Sequence, residues 1–167
     1  WKLQNQIKPK HYSHVFKSKI SAKLMPAKNE VYYAKFYKSD KLKNNKFIIM
    51  NLKKFIFPKL RKYGIKFKDF DIRCHKFTKG NFLRSHYDNY AGTHAVTINL
   101  NKLWRADWGG ILGVLSGKKY DKIDLSCPKW NSMNILSPDY KNKCPHFVTS
   151  VEFYALEPRY SMTIFLS

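Results

Sequence analysis

His86 and Asp88 are separated by a single residue in the run Gly80-Asn81-Phe82-Leu83-Arg84-Ser85-His86-Tyr87-Asp88. In a strand, side chains two positions apart leave the same face, so an imidazole and a carboxylate project together while Tyr87 turns away. Alone, such a pair is common and reads as a solvated contact. His146 changes that reading: it follows Cys144-Pro145 and leads a strand-like run. Two imidazoles and one carboxylate suit a ferrous ion and leave three coordination positions open. Further on, Arg159-Tyr160-Ser161-Met162-Thr163 alternates so that Arg159, Ser161 and Thr163 share one face of a last strand. A guanidinium followed by two hydroxyls can grip a carboxylate through a charge-assisted bidentate contact and further hydrogen bonds.

These side chains need a frame, and the chain changes character to provide one. Before residue 65 two segments show helical apolar spacing. Residues 1–24 show it loosely and end at Pro26, and Ile48, Ile49, Leu52, Phe55, Ile56 and Leu60 show it within 45–63. Pro58 should kink or divide this second helix, and Gly64 is placed to close it. From residue 65 onward a period of two takes over in DIRCHKF, HAVTINL, GILGVL, SMNIL, HFVTSVEF and RYSMTIFLS. Helices followed by short strands predict an α+β, mainly β chain: an antiparallel double-sheet roll with helices on one outer face. We expect a single domain over 1–167, with 1–70 as helical, basic support and lid, and 71–167 as the core.

The bulk numbers narrow the class. A chain of 167 residues that is 44% hydrophobic and 16% aromatic can bury a core without disulfides, and no stretch is apolar enough to span a bilayer. Three scattered cysteines, Cys74, Cys127 and Cys144, with no C-x-x-C pair fit a reducing, cytoplasmic setting. The net charge of +21 is uneven: residues 1–70 hold 19 Lys/Arg against 3 Asp/Glu, and 71–167 hold 13 against 8. Nearly all the excess is Lys, which lacks the bidentate fork of Arg, and no nucleic-acid motif is visible. A nucleic-acid partner is therefore not expected, although a basic binding module with an inactive core is the alternative from another class. We expect a monomer or weak homodimer.

In their order, these residues resemble the 2-oxoglutarate oxygenase superfamily, in particular its prolyl-hydroxylase-like branch, over about residues 71–167. The resemblance is carried by His86-x-Asp88, Leu100-Asn101-Lys102-Leu103-Trp104, Trp108-Gly109-Gly110-Ile111-Leu112, Pro145-His146-Phe147-Val148 and Arg159-x-Ser161-x-Thr163. It implies a distorted double-stranded β-helix (a cupin-like jelly roll) with Fe(II) on His86, Asp88 and His146. The distal carboxylate of 2-oxoglutarate would lie on Arg159, with Thr163 and Ser161 beside it. O2 would be the oxidant and ascorbate the reductant. The implied reaction hydroxylates an unactivated C–H of a protein or peptide, proline first, with a free amino acid or small metabolite as the alternative, and releases succinate and CO2. Relatives often carry a tyrosine where this chain has Phe77, and another at Asn99. Asn99, Thr97 and Tyr90 are the candidates for the missing polar contact.

For substrate, the parity of Arg84 with His86 and Asp88 would let it reach the mouth of the site and hold a substrate carboxylate or backbone carbonyl, with a surface role as the alternative. Tyr90 stands close by in sequence, and Trp104 could stack on a substrate ring or pack the end of a sheet. Residues 1–70 and the loop 117–131 would form the lid. His11, His14, His75 and His94 have no carboxylate at ligand spacing and read as structural or solvated. Gly109 and Gly110 read as backbone devices that start the next strand.

Overall fold

The computed structural model describes residues 2–4, 25–26, 34–39, 42–88, 93–117, 119–137 and 144–167. The expected helix over 1–24 lies outside these residues except at Lys2–Gln4, which is a strand, β1, paired with Ser132–Asn134. Short strands also form at β2 (Met25–Pro26), β3 (Ala34–Lys35) and β4 (Tyr37–Lys38).

The second helix forms where its apolar spacing predicts. Asn45 caps it, its side chain accepting the Ile48 N–H at 3.2 Å. Pro58 divides but does not break it. An α-helical stretch, α1 (Lys46–Asn51), widens into a π turn over Leu52–Ile56 and resumes as α2 (Phe57–Lys62). Proline can give no N–H to the carbonyl one turn back, and the wider turn immediately before it absorbs the mismatch. Gly64, at φ 78°, ends the helix: its N–H reaches Arg61 O and that of Ile65 reaches Leu60 O. This pair of reversed bonds is the usual closing motif for a left-handed residue after a helix.

The core strands are β5 (Phe70–Phe77), β6 (Phe82–His86), β7 (His94–Asn99), β8 (Leu112–Ser116), β9 (Lys122–Ser126), β10 (Ser132–Leu136), β11 (His146–Val148) and β12 (Arg159–Leu166). They divide between two antiparallel sheets, the chain crossing from one to the other at each step except the β8–β9 hairpin. One contains the order β10-β7-β12-β5, extended by β1 at one edge and by β4 and β2 at the other. The second runs β3-β6-β11-β8-β9. This arrangement of β5–β12 on two facing sheets, with β5, β7, β10 and β12 in one and β6, β8, β9 and β11 in the other, is a double-stranded β-helix.

Two faces of the larger sheet have separate jobs. Ile72 and Cys74 on β5, Met162 and Ile164 on β12, Val96 and Ile98 on β7, and Met133 and Ile135 on β10 pack against Ile48, Leu52, Ile56, Phe57 and Leu60 of the helix. Burying each large aliphatic side chain here contributes about 1.5–3 kcal/mol. By parity the intervening residues, among them His75, Phe77, Thr97, Arg159, Ser161 and Thr163, face the smaller sheet. A cavity of about 630 Å³ lies there, lined from both sheets.

Two sequence expectations need correction. The segment 117–131 is not a lid loop: Lys122–Ser126 is β9, paired along its length with β8. Its alternation was masked by the charged, glycine-led turn before it. The run HFVTSVEF forms a strand only to Val148, because Phe153 and Tyr154 stand in an exposed turn.

Candidate metal centre and acid pocket

The first cluster arises from a pairing of neighbours. β11 lies antiparallel to β6 with His146 opposite His86, which sets their rings 4.2 Å apart between centroids. Asp88 follows the end of β6 and answers both: its Oδ1 is 3.4 Å from His86 Nε2 and its Oδ2 3.4 Å from His146 Nε2. One donor atom from each of the three residues lies within 4.8 Å of the other two. Each ring is oriented from behind by its own strand. His86 Nδ1 lies 3.0 Å from Arg84 O, and His146 Nδ1 lies 3.2 Å from Cys144 O. With Nδ1–H given to a carbonyl, the bare Nε2 of each ring is turned to the common point, as metal-binding imidazoles require.

The charges are tuned by the same contacts. Burial disfavours charge on His86, but the hydrogen bond to Asp88 and the Arg84 carbonyl outweigh it and raise its pKa. His146 is more deeply set, and burial lowers its pKa despite Asp88. Asp88 resists burial through the His86 hydrogen bond and the nearby imidazoles, so its carboxyl titrates below its ordinary value. An anionic carboxylate and a neutral imidazole are the protonation states that bind cations.

The second cluster is on the opposite sheet. Arg159 is 2% exposed and among the largest fully buried side chains. Its Nη1 donates to Ser161 Oγ at 3.3 Å and its Nη2 to Asn99 Oδ1 at 3.3 Å, while Nε is buried with no partner. Phe77 lies beneath it, 5.2 Å from guanidinium carbon to ring centroid. No carboxylate pairs with it among the described residues. Burial alone lowers its pKa to about 10, still charged at neutral pH. An enclosed cation without a counter-ion is expensive, and the cost is recovered when an anion binds. Gly110 makes room for it: at φ 61°, a Cβ here would stand 2.7 Å from Arg159 Cδ.

Cross-strand register supplies the rest of this pocket. Ser161 stands opposite Asn99 on one side and His75 on the other, and Thr163 opposite Thr97 and Arg73. Thr163 Oγ1 is 3.3 Å from Thr97 Oγ1 and 3.3 Å from His75 Nδ1. Asn99 is held through its Nδ2 by Ser132 Oγ at 2.9 Å.

Of the residues singled out in the sequence, His86, Asp88 and His146 converge, and Arg159, Ser161, Thr163, Asn99 and Thr97 form one polar layer across the cavity from them. Arg84 does not join them. It is exposed, its guanidinium 5.9 Å from the Phe82 ring, and Leu83 lines the cavity instead. The pairing of β6 with β11 shifts between His146 and Val148, so parity does not carry from His86 back to Arg84. Trp104 stands outside the cavity lining. Its Nε1 donates to Gly109 O at 3.0 Å and its ring meets Trp108 edge-on, so it packs the end of the sheet. Tyr90 lies outside the described residues. His75, set aside because no carboxylate stands at ligand spacing, lines the cavity. The signal was its parity: Ile72 and Cys74 face the helix, so His75 faces inward.

The donor set fits a ferrous ion, and the orphaned Arg159 Nε fits the far carboxylate of an acid bound to that ion. The profile of the 2OG-Fe(II) oxygenase superfamily matches residues 72–167. A comparison with curated proteins gives no match. Among solved structures, a Pseudomonas putida prolyl-4-hydroxylase superposes with a TM-score of 0.78 at 14% identity, covering 99% of this chain and 90% of that one. A Trichoplax adhaerens prolyl hydroxylase in complex with a hypoxia inducible factor oxygen degradation domain peptide gives 0.73 at 16% identity, covering 99% and 82%. A viral collagen prolyl hydroxylase from Paramecium Bursaria Chlorella virus-1, in a 2OG complex, gives 0.70 at 12% identity, covering 99% and 93%. At these identities the likeness shows the fold.

Proposed function

The chain belongs to the 2OG-Fe(II) oxygenase superfamily, and we propose that it hydroxylates an unactivated C–H of a protein or peptide side chain, with proline the first candidate. The observation that carries this reading is the pairing, across one cavity, of a His-Asp-His donor set with a buried arginine that has no counter-ion among the described residues. In this reading His86, Asp88 and His146 hold Fe(II), and Arg159, with Ser161 and Thr163, holds the distal carboxylate of 2-oxoglutarate. When bound, the ion activates O2 and couples decarboxylation of 2-oxoglutarate, giving succinate and CO2, to insertion of one oxygen atom into the substrate C–H.

The residues of the chain do the positioning. The backbone carbonyls of Arg84 and Cys144 fix both imidazoles, Asp88 supplies the single negative charge, and three coordination positions stay open. Phe77, Leu83, Leu112 and Val148 line part of the cavity with apolar side chains. A polypeptide substrate is supported by the prolyl hydroxylases that share the fold, one of them in complex with a peptide. Ascorbate would keep the iron ferrous between turnovers.

Purified protein with Fe(II), 2-oxoglutarate and ascorbate should release succinate slowly without substrate, and His86→Ala or Asp88→Ala should abolish the release. Mass spectrometry of host proteins for a gain of one oxygen atom, dependent on this protein, identifies the substrate. Wild-type protein that releases no succinate would refute the enzymatic reading.

A further inference from the structure

Resting on the reading that the cavity takes 2-oxoglutarate, this inference concerns His75, which no motif marks. His75 projects from β5 into the cavity opposite Ser161, with Nδ1 3.3 Å from Thr163 Oγ1. Thr163 Oγ1 is in turn 3.3 Å from Thr97 Oγ1. Phe36 meets the imidazole edge-on at 5.5 Å and fixes its plane. The ring stands between the two clusters, feeling the charge of Arg159 and that of Asp88. Burial first, then Arg159, Arg73 and Lys38, lower its pKa to about 3 against the opposing pull of Asp88. It is a neutral imidazole with one N–H.

Hydrogen counting decides what that N–H does. A threonine hydroxyl has one hydrogen and two lone pairs. Thr163 has two hydroxyl or imidazole neighbours already, and if it donated to either, its lone pairs would face the incoming carboxylate. If both neighbours donate to it, both lone pairs are filled and its one hydrogen is free for an acceptor in the cavity. Only this second arrangement suits an anion beside Arg159. We propose that His75 is a positioning residue: as its Nδ1–H tautomer it donates to Thr163 and directs the Thr163 hydroxyl hydrogen to the carboxylate of 2-oxoglutarate held by Arg159.

The test is calorimetric binding of 2-oxoglutarate to the anaerobic, Fe(II)-loaded protein, with Fe(II) affinity measured separately. His75→Leu and Thr163→Val should each weaken 2-oxoglutarate binding roughly 10- to 100-fold, the range for a lost hydrogen bond to a charged group, with Fe(II) affinity retained. The double variant should bind no more weakly than the weaker single one, because both remove the same contact. His75→Asn places an amide N–H where Nδ1–H stood and should recover most of the loss. Binding by His75→Leu within about twofold of wild type overturns the proposal, as does full additivity in the double variant. If wild-type protein binds Fe(II) but not 2-oxoglutarate, the reading of the cavity itself fails. That outcome is distinct from a failure confined to the His75 variants.

Discussion

Arg159 shows how a residue can be built for a partner that the chain itself does not contain. Its stem passes Gly110, its guanidinium rests on Phe77, and two of its nitrogens meet only the neutral oxygens of Ser161 and Asn99. Among the described residues, the only other buried side-chain nitrogen without a partner is Asn134 Nδ2, outside the cavity lining. A buried charge in that condition lowers the stability of the ligand-free protein and raises affinity for an anion. Arg159→Met should therefore leave the thermal midpoint of the ligand-free protein unchanged or higher, as a neutral side chain of similar length fills the space. The same variant should bind 2-oxoglutarate roughly 100-fold or more weakly, about 3 kcal/mol or above, with Fe(II) binding retained. A fall in midpoint together with equal loss of metal and acid would show that Arg159 holds the fold rather than the ligand.

At the scale of elements, tight backbone passages hold the strands to these positions. Gly109 sits at φ 68° with its N–H given to Ala106 O, where a Cβ would come within 1.9 Å of the Ser150 carbonyl oxygen. Gly109→Ala should destabilise the fold by at least about 1–3 kcal/mol through the strained conformation, with the clash added, and a denaturation midpoint measures it. An unchanged midpoint would mean that this turn can move freely. The period of two made much of this legible beforehand. Ile164 and Met162 against the helix left Arg159, Ser161 and Thr163 for the cavity, and His86 and Asp88 were paired by the same logic. Parity failed at Arg84, because a shift in strand pairing is written in the partner strand and not in the run itself. At His75 the same parity points into the cavity, although no carboxylate stands at ligand spacing in the sequence. β9 is harder to read because its alternation, Ile123 and Leu125 between Lys122, Asp124 and Ser126, is short and follows a charged, glycine-led turn.

Across the whole molecule, the roll divides the labour between its two sheets. The proposed metal donors belong to β6, its end and β11, the proposed acid anchor to β12 and its neighbours, and facing sheets lie about 10 Å apart. In the proposed reading a dicarboxylate would span that gap, held at one end by the metal and at the other by Arg159. Part of the cationic excess among the described residues lies outside the cavity. Lys46, Lys53, Lys54, Arg61 and Lys62 are exposed on a helix whose apolar face is pressed to the outside of the larger sheet. In the proposed reading Arg159 and its row hold the acid, and Lys38, Lys43 and Arg73 add positive charge along the same cavity. Among the described residues no helix is long and apolar enough to cross a membrane. The most direct test of the account is an anaerobic titration of the protein with Fe(II) and 2-oxoglutarate, followed by visible absorption. A charge-transfer band should appear only when both are present and vanish in Asp88→Ala. Wild-type protein that gives no band and binds neither would contradict it.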